Sequence, residues 1–171
     1  MTSVPAAAVS TPCSTGDCSL SETGADPVRC PVSRTVGSRV ALITVKALLN
    51  GKALRALEGK AYRFCPEPGC EVVYFDRDAN SIFDKRDLEV RVGRKESDDP
   101  IPVCYCFDIT EADLRKSVGA AGATDIPAMI AAEVRAGHCA CEVKNPQGSC
   151  CLGDVSQAVK RIRLRIGATT A

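Results

Sequence analysis

The hydrophobic pattern changes period near the middle of the chain. From Cys30 to Asp98 the apolar positions come in short runs broken by turn residues. Val40-Ala-Leu-Ile43 is short and β-branched and reads as a strand. Thr44 stands where it can cap a helix through Val45-Lys-Ala-Leu-Leu49, which Asn50-Gly51 interrupts and Leu54 and Leu57 resume. Ala61–Phe64, Glu71–Phe75 and Leu88–Val92 alternate as strands do, and Ile82-Phe83 adds a further apolar pair. Gly93–Pro102 is charged and carries two prolines, which places a boundary there. Beyond it the period becomes helical. Thr110-Glu-Ala-Asp113 is a capping box with Asp in the last place, and Ile109, Leu114 and Val118 follow at near-helical spacing up to Gly119 and Gly122. Thr124 opens a second helix with Ile126, Met129, Ile130 and Val134 on one face and Gly137 at its end. Asp154 begins a last basic helix whose apolar positions are Val155, Val159, Ile162 and Ile166.

These patterns predict an α+β chain in three parts. Residues 1–28, rich in Ser, Thr, Ala, Pro and Gly, form a flexible tail. Residues 29–98 form a small α/β domain, and residues 99–171 form an all-α domain built on a helical hairpin.

Charge narrows the function. Lys plus Arg is 22 against 21 Asp plus Glu, a net charge of +1, which argues against a strong grip on nucleic acid or anionic lipid. No apolar run approaches the roughly 20 residues that span a bilayer, so membrane insertion is not expected. The N-terminal Met1–Ser10 has neither Lys nor Arg and no long apolar stretch, so no export signal is read there and a cytoplasmic location is expected. Aromatic residues make up 4% of the chain and Trp is absent, so large rings do not dominate the core. There is no Gly-rich phosphate loop and no Ser–His–Asp or Cys–His set with a case for catalysis. Whether the chain is an enzyme is left open.

The chemistry lies in the cysteines, 11 of them beside one histidine. An odd number cannot pair completely within one chain, and in a reducing compartment clustered thiols bind metal or do redox work. Cys65-Pro-Glu-Pro-Gly-Cys70 sits between two predicted strands, and its prolines and glycine force a tight turn that brings both sulfurs to one side. Joined by Cys30, this knuckle fits a tetrahedral Zn²⁺ ion. The fourth ligand is open between Glu67 inside the knuckle, a tail thiol from Cys13 or Cys18, and water. Ser33 stands where a Cys-Pro-x-Cys motif places its second thiol, and serine is a poor zinc ligand.

A second set begins with Cys104-Tyr-Cys106, followed after the two helices by Cys139-Ala-Cys141 and Cys150-Cys151. A helical hairpin returns the chain to its starting end, so these loops converge at one pole. Four thiolates from two loops suit a [2Fe–2S] cluster, with a zinc Cys₄ site as the competing reading. His138 reads as a loop-surface residue, and the basic run Lys160–Arg165 as a solvated helix face.

Val103-Cys-Tyr-Cys-Phe-Asp-Ile-Thr-Glu-Ala-Asp-Leu-Arg115 resembles the opening of the bacterioferritin-associated-ferredoxin-like [2Fe–2S] domain, which also occurs in NifU-type scaffolds. That pattern ends in C-x₂-C, whereas here Glu142 takes the last place. The departure is similar to the iron–sulfur half of CopZ-type copper chaperones, matched by Cys139–Gly153. Thr44–Leu49, Phe64–Phe75 and Asp87–Val92 resemble the zinc-binding domain of the same family. The resemblance implies one zinc held by Cys30, Cys65 and Cys70, with Glu67 the least fixed, and one [2Fe–2S] cluster. Cys104 and Cys106 carry over as iron ligands. Cys141 and Cys151 are favoured for the other two, with Cys139 and Cys150 as alternates. The family's M-x-C-x-x-C transfer domain has no match, since no C-x-x-C occurs in this sequence.

Two functions are expected from this. In the first, the protein handles copper or another soft metal by single-electron reduction of Cu(II) to Cu⁺ and thiolate binding of the product, with a redox partner, a metal chaperone or a P-type ATPase downstream. In the second it is a non-catalytic iron–sulfur or metal-binding scaffold, or a ferredoxin-like partner module.

Overall fold

The computed structural model describes residues 27–119 and 122–169. Residues 1–26 of the predicted tail, with Cys13 and Cys18, lie outside them, while Val28, its last residue, is buried against Cys30 and Phe75 in the first module. The first module is a four-stranded antiparallel sheet in the order β1-β2-β3-β4: β1 Ser38–Val40, β2 Tyr62–Phe64, β3 Val72–Asp76 and β4 Ile82–Asp84. Helices α1 (Leu42–Leu48) and α2 (Gly51–Leu54) connect β1 to β2. Asn50 separates the two helices because its Oδ1 accepts the Lys52 and Ala53 amides at 3.1 and 2.9 Å, starting α2 afresh.

Three expectations shift here. Thr44 does not cap α1. It lies inside the helix, fully buried, and Ala41 takes the cap position. The predicted strand Val40–Ile43 contributes only Val40 to β1, and its remainder begins the helix. Leu88–Val92 forms no strand. Its link to the rest is an isolated bridge between Leu49 and Leu88, with Glu89 N donating to Leu48 O. The alternation there arises because Leu88 and Val92 turn into the α1 core as irregular chain.

β3 is buried along its whole length and serves two cores. A bulge opposite β4, where Val72 pairs with Asp84 and Tyr74 with Phe83, breaks the strict alternation. Val73 and Tyr74 join Val45, Leu49, Phe64 and Phe83 under α1, while Val72 and Phe75 join Cys30, Cys65 and Cys70 in a separate cluster.

The second module opens with a two-stranded ribbon, β5 (Pro102–Cys104) and β6 (Ile109–Thr110), so it is not purely helical as the sequence suggests. Helices α3 (Glu111–Val118), α4 (Ile126–Arg135), α5 (Cys141–Lys144) and α6 (Leu152–Thr169) follow. The Thr110 capping box forms, with Asp113 N donating to Thr110 Oγ1 and Asp113 Oδ2 accepting from Thr110 N. Thr124 Oγ1 accepts from Ile126 N, one position outside the Asp125 cap. α6 is the central helix. Leu114 and Val118 from α3 and Ile130 from α4 pack on its Val155, Ala158, Val159 and Ile162. Met129, assigned to the same face by spacing, is instead 41% exposed.

The modules pack directly. α1 lies against α5. Gly148 sits so close to Thr44 that a Cβ there would lie 3.0 Å from Thr44 Oγ1. Arg94 pairs with Asp154 at 2.8 Å. Among the described residues no helix is long and apolar enough to cross a membrane.

Candidate metal centres

The first centre grows from the knuckle. Cys65 leaves β2, Cys70 leads into β3, and Cys30 enters from a short loop fixed by Cys30 N donating to Thr35 O and Arg34 N donating to Cys30 O. The three sulfurs lie within 4.8 Å of one another, and all three residues are buried. Cys30 and Cys70 stand 3.8 Å apart, the edge of a tetrahedron whose metal–sulfur bonds are about 2.3 Å. Among the described residues this trio is the one set gathered closely enough to hold a single ion.

Ser33 faces the trio. Its hydroxyl lies 3.4 Å from Cys65 Sγ and also hydrogen-bonds Cys30. Burial works against the Cys30 thiolate, but the Ser33 and neighbouring bonds win and lower its pKa. Burial pushes the Cys70 thiol the other way. Glu67 is exposed and accepts a hydrogen bond from Thr35 Oγ1 at 3.2 Å, apart from the trio. Sequence spacing had singled out Ser33 as the place of a missing thiol, yet it gave no sign that the hydroxyl itself would face the sulfurs. Lys95 was not anticipated. It is 6% exposed, and its Nζ donates to the carbonyls of Glu67 at 2.8 Å and Cys70 at 3.0 Å, closing the knuckle with a buried cation.

The second centre gathers four thiols from three segments. Cys104 ends β5, Cys106 lies in the turn after it, Cys141 starts α5 and Cys151 immediately precedes α6. The sulfurs form two pairs, Cys104 with Cys151 at 2.9 Å and Cys106 with Cys141 at 3.6 Å. Amide donors surround them. Ala140 N donates to Cys106 Sγ at 3.2 Å, the Cys106 and Phe107 amides serve Cys104, and the Cys151 amide serves Cys141. Cys151 also stands at the positive end of α6, its carbonyl accepting from Val155 N. Without metal, the hydrogen bond donated by Cys151 holds Cys104 down at about 6 despite burial, and the same bond, with burial, keeps the proton on Cys151. Burial and the Cys106 sulfur push Cys141 up to about 12. Of the alternates, Cys139 is half-buried and Cys150 exposed. His138 turns outward to Glu133, at 2.7 Å from Nδ1 to Oε2.

Comparison with known proteins places this geometry. Residues 27–89 match the family model described as the zinc binding domain of CopZ. The chain is 33% identical over 153 residues to the copper chaperone CopZ of Archaeoglobus fulgidus, covering 84% of this chain and 72% of that protein. The chain belongs to the CopZ family. The X-ray structure of the Archaeoglobus fulgidus CopZ N-terminal domain matches with a TM-score of 0.60 at 34% identity, covering 75% of this chain and 95% of that one. As in that CopZ domain, the fold is mixed α+β with a small sheet. The buried Cys30/Cys65/Cys70 trio is a site for zinc or another soft metal.

Proposed function

We propose that this CopZ-family protein is a cytoplasmic metal-handling redox protein that binds copper, holds a [2Fe–2S] cluster on Cys104, Cys106, Cys141 and Cys151, and reduces Cu(II) to Cu⁺. The observation that carries the reading is the pairing of the four thiols. A single tetrahedral ion needs all its sulfurs at one another's corners, as in the zinc trio. Two separate pairs suit two metal ions sharing bridging sulfides. The amide donors and the α6 N-terminus offset the negative charge that four thiolates and two sulfides bring.

When bound, the cluster supplies one electron at a time. The residues around it do the rest. The buried Cys104 and Cys151 shield one pair from water, while the Cys106 and Cys141 side is partly open. The exposed Cys150 and the half-buried Cys139 lie beside iron ligands in the chain and offer thiolates, the donors that Cu⁺ prefers, at the point of reduction. Reduction of one Cu(II) to Cu⁺ takes one electron, which a cluster held by these four thiols would supply. An external one-electron donor restores it, and the Cu⁺ passes to a metal chaperone or pump. The membership of a family containing a copper chaperone supports copper as the cargo.

The test is anaerobic purification followed by iron, labile sulfide and zinc analysis, visible absorption, and titration of the reduced protein with Cu(II). Two irons, two sulfides and one zinc per chain are expected, with one Cu⁺ formed per cluster oxidised. Colourless, iron-free protein refutes the reading. The variant Cys104→Ser is expected to bleach the cluster and to leave zinc bound.

A further inference from the structure

We propose that Lys95, Tyr105 and Tyr74 are positioning residues for the iron site, tying its loops to the zinc module, so that the order of the zinc knuckle sets the geometry of the cluster loops. The inference rests on the reading that the four thiols hold a [2Fe–2S] cluster.

Both cysteine loops of the second centre are moored by phenol hydroxyls to the first module or to the segment leaving it. Tyr105 lies between the two ligands Cys104 and Cys106. Its hydroxyl accepts from Gly93 N at 2.8 Å and donates to Arg91 O at 3.2 Å. Gly93 has no space for a side chain, because a Cβ there would overlap the Pro102 carbonyl. Two residues further on, Lys95 grips the carbonyls of Glu67 and Cys70. The path therefore runs from the zinc knuckle through Lys95 and one 3₁₀ turn, Gly93–Lys95, to the residue between two iron ligands.

The second mooring is independent of the first. Tyr74, fully buried on β3, donates its hydroxyl to Pro146 O at 2.8 Å. Pro146 lies in the loop that carries Cys141 at one end and Cys151 at the other. Asn145, 1% exposed, shapes that loop from inside, its Nδ2 donating to Ser149 O and its Oδ1 accepting from Gln147 N. Gly148 then seats the turn against Val40 and Thr44 of the first module. Cys104 and Cys151 form one sulfur pair, so the two moorings meet there. A cluster whose ligand loops are tied to chain outside them, by the buried Tyr74–Pro146 bond and the part-buried Gly93–Tyr105 bond, depends on those bonds for ligand angles as well as for retention.

Tyr105→Phe and Tyr74→Phe, made in the full chain, remove one hydroxyl each and keep the ring. Tyr62→Phe is the control, because its hydroxyl bonds Ser81 and the Glu58 amide and reaches neither cysteine loop. Zinc content, iron content, visible circular dichroism, midpoint potential and the rate of iron loss to a chelator are measured on anaerobic protein. Tyr105→Phe and Tyr74→Phe are expected to keep one zinc, lose iron roughly fivefold faster, the factor for one hydrogen bond, and change the visible dichroism and the potential. Tyr62→Phe leaves all of these as in the wild type. In the reciprocal pair, Cys65→Ser depletes both metals, whereas Cys104→Ser depletes iron alone. Wild-type dichroism, potential and iron-loss rate in both tyrosine variants overturn the inference, as does an equal effect from Tyr62→Phe. Iron-free wild-type protein is a different result and removes the cluster reading itself.

Discussion

Ser33 is the residue whose replacement reports most directly on the zinc site. It holds the place in the sequence that a Cys-Pro-x-Cys motif fills with sulfur, and its hydroxyl lies 3.4 Å from Cys65 Sγ, while Cys30 and Cys70 already stand at the 3.8 Å edge of a tetrahedron. Ser33→Cys is therefore expected to complete a four-thiolate set. Structural zinc in small domains is worth about 10–16 kcal/mol, or roughly 2.5–4 kcal/mol for each of four ligands. A water or hydroxyl already takes part of that share, so a gain of about 2 kcal/mol is expected, roughly thirtyfold in affinity. The assay follows zinc release to a chromophoric chelator from anaerobic wild-type and variant protein. Release slowed by roughly an order of magnitude or more is expected, with the gain appearing as slower dissociation. Release at the wild-type rate from a variant of unchanged secondary structure refutes the placement of Ser33 at the metal's fourth corner.

Other changes test the frame around the centres. Leu114→Ala leaves a cavity against α6 and is expected to destabilise by about 2–5 kcal/mol in urea unfolding. Gly93→Ala forces a methyl group against the Pro102 carbonyl, so a loss of about 1–3 kcal/mol is expected by the same measurement. Asp76 is 3% exposed. Burial works against its carboxylate, but the Ser81 amide at 3.1 Å, Lys60 at 3.2 Å and the Asn80 amide outweigh it and hold its pKa below the ordinary 3.8. Its contribution is thus present above the unfolded pKa and lost as pH falls through the folded one. In Asp76→Asn, the stability difference from wild type should be largest near neutrality and should narrow in acid unfolding curves below about pH 4.

Much of this architecture was legible in the residues, and the misses share causes. The helices of the second module follow from local chemistry, since the Thr110 box and the Val155–Val159–Ile162 spacing need no distant partner. The knuckle thiols were legible because two prolines and a glycine leave the turn few alternatives. Leu88–Val92 misled because alternation describes which side chains are inside and is silent on what the backbone pairs with. Glu67 looked placed for the metal by its position between the two cysteines, but the turn points it to Thr35. Lys95 and Tyr74 were invisible as site residues. Their partners are backbone carbonyls, 25–28 and 72 positions away, and a carbonyl carries no sequence signal.

The bulge in β3 has a further consequence. One surplus residue in that strand decides which side chains look toward the thiols and which look toward α1 and the Pro146 turn. Deleting Val73 would regularise the ladder to β4 and leave Tyr74 facing α1, but it would shorten by one residue the tie between Cys70 and Tyr74, so the knuckle thiol and the hydroxyl that holds the Pro146 turn could not both keep their places. The distance in residues from Cys70 to Tyr74 is therefore a counted interval, and related chains that keep both metal centres should tolerate substitution along this strand far better than any change in its length.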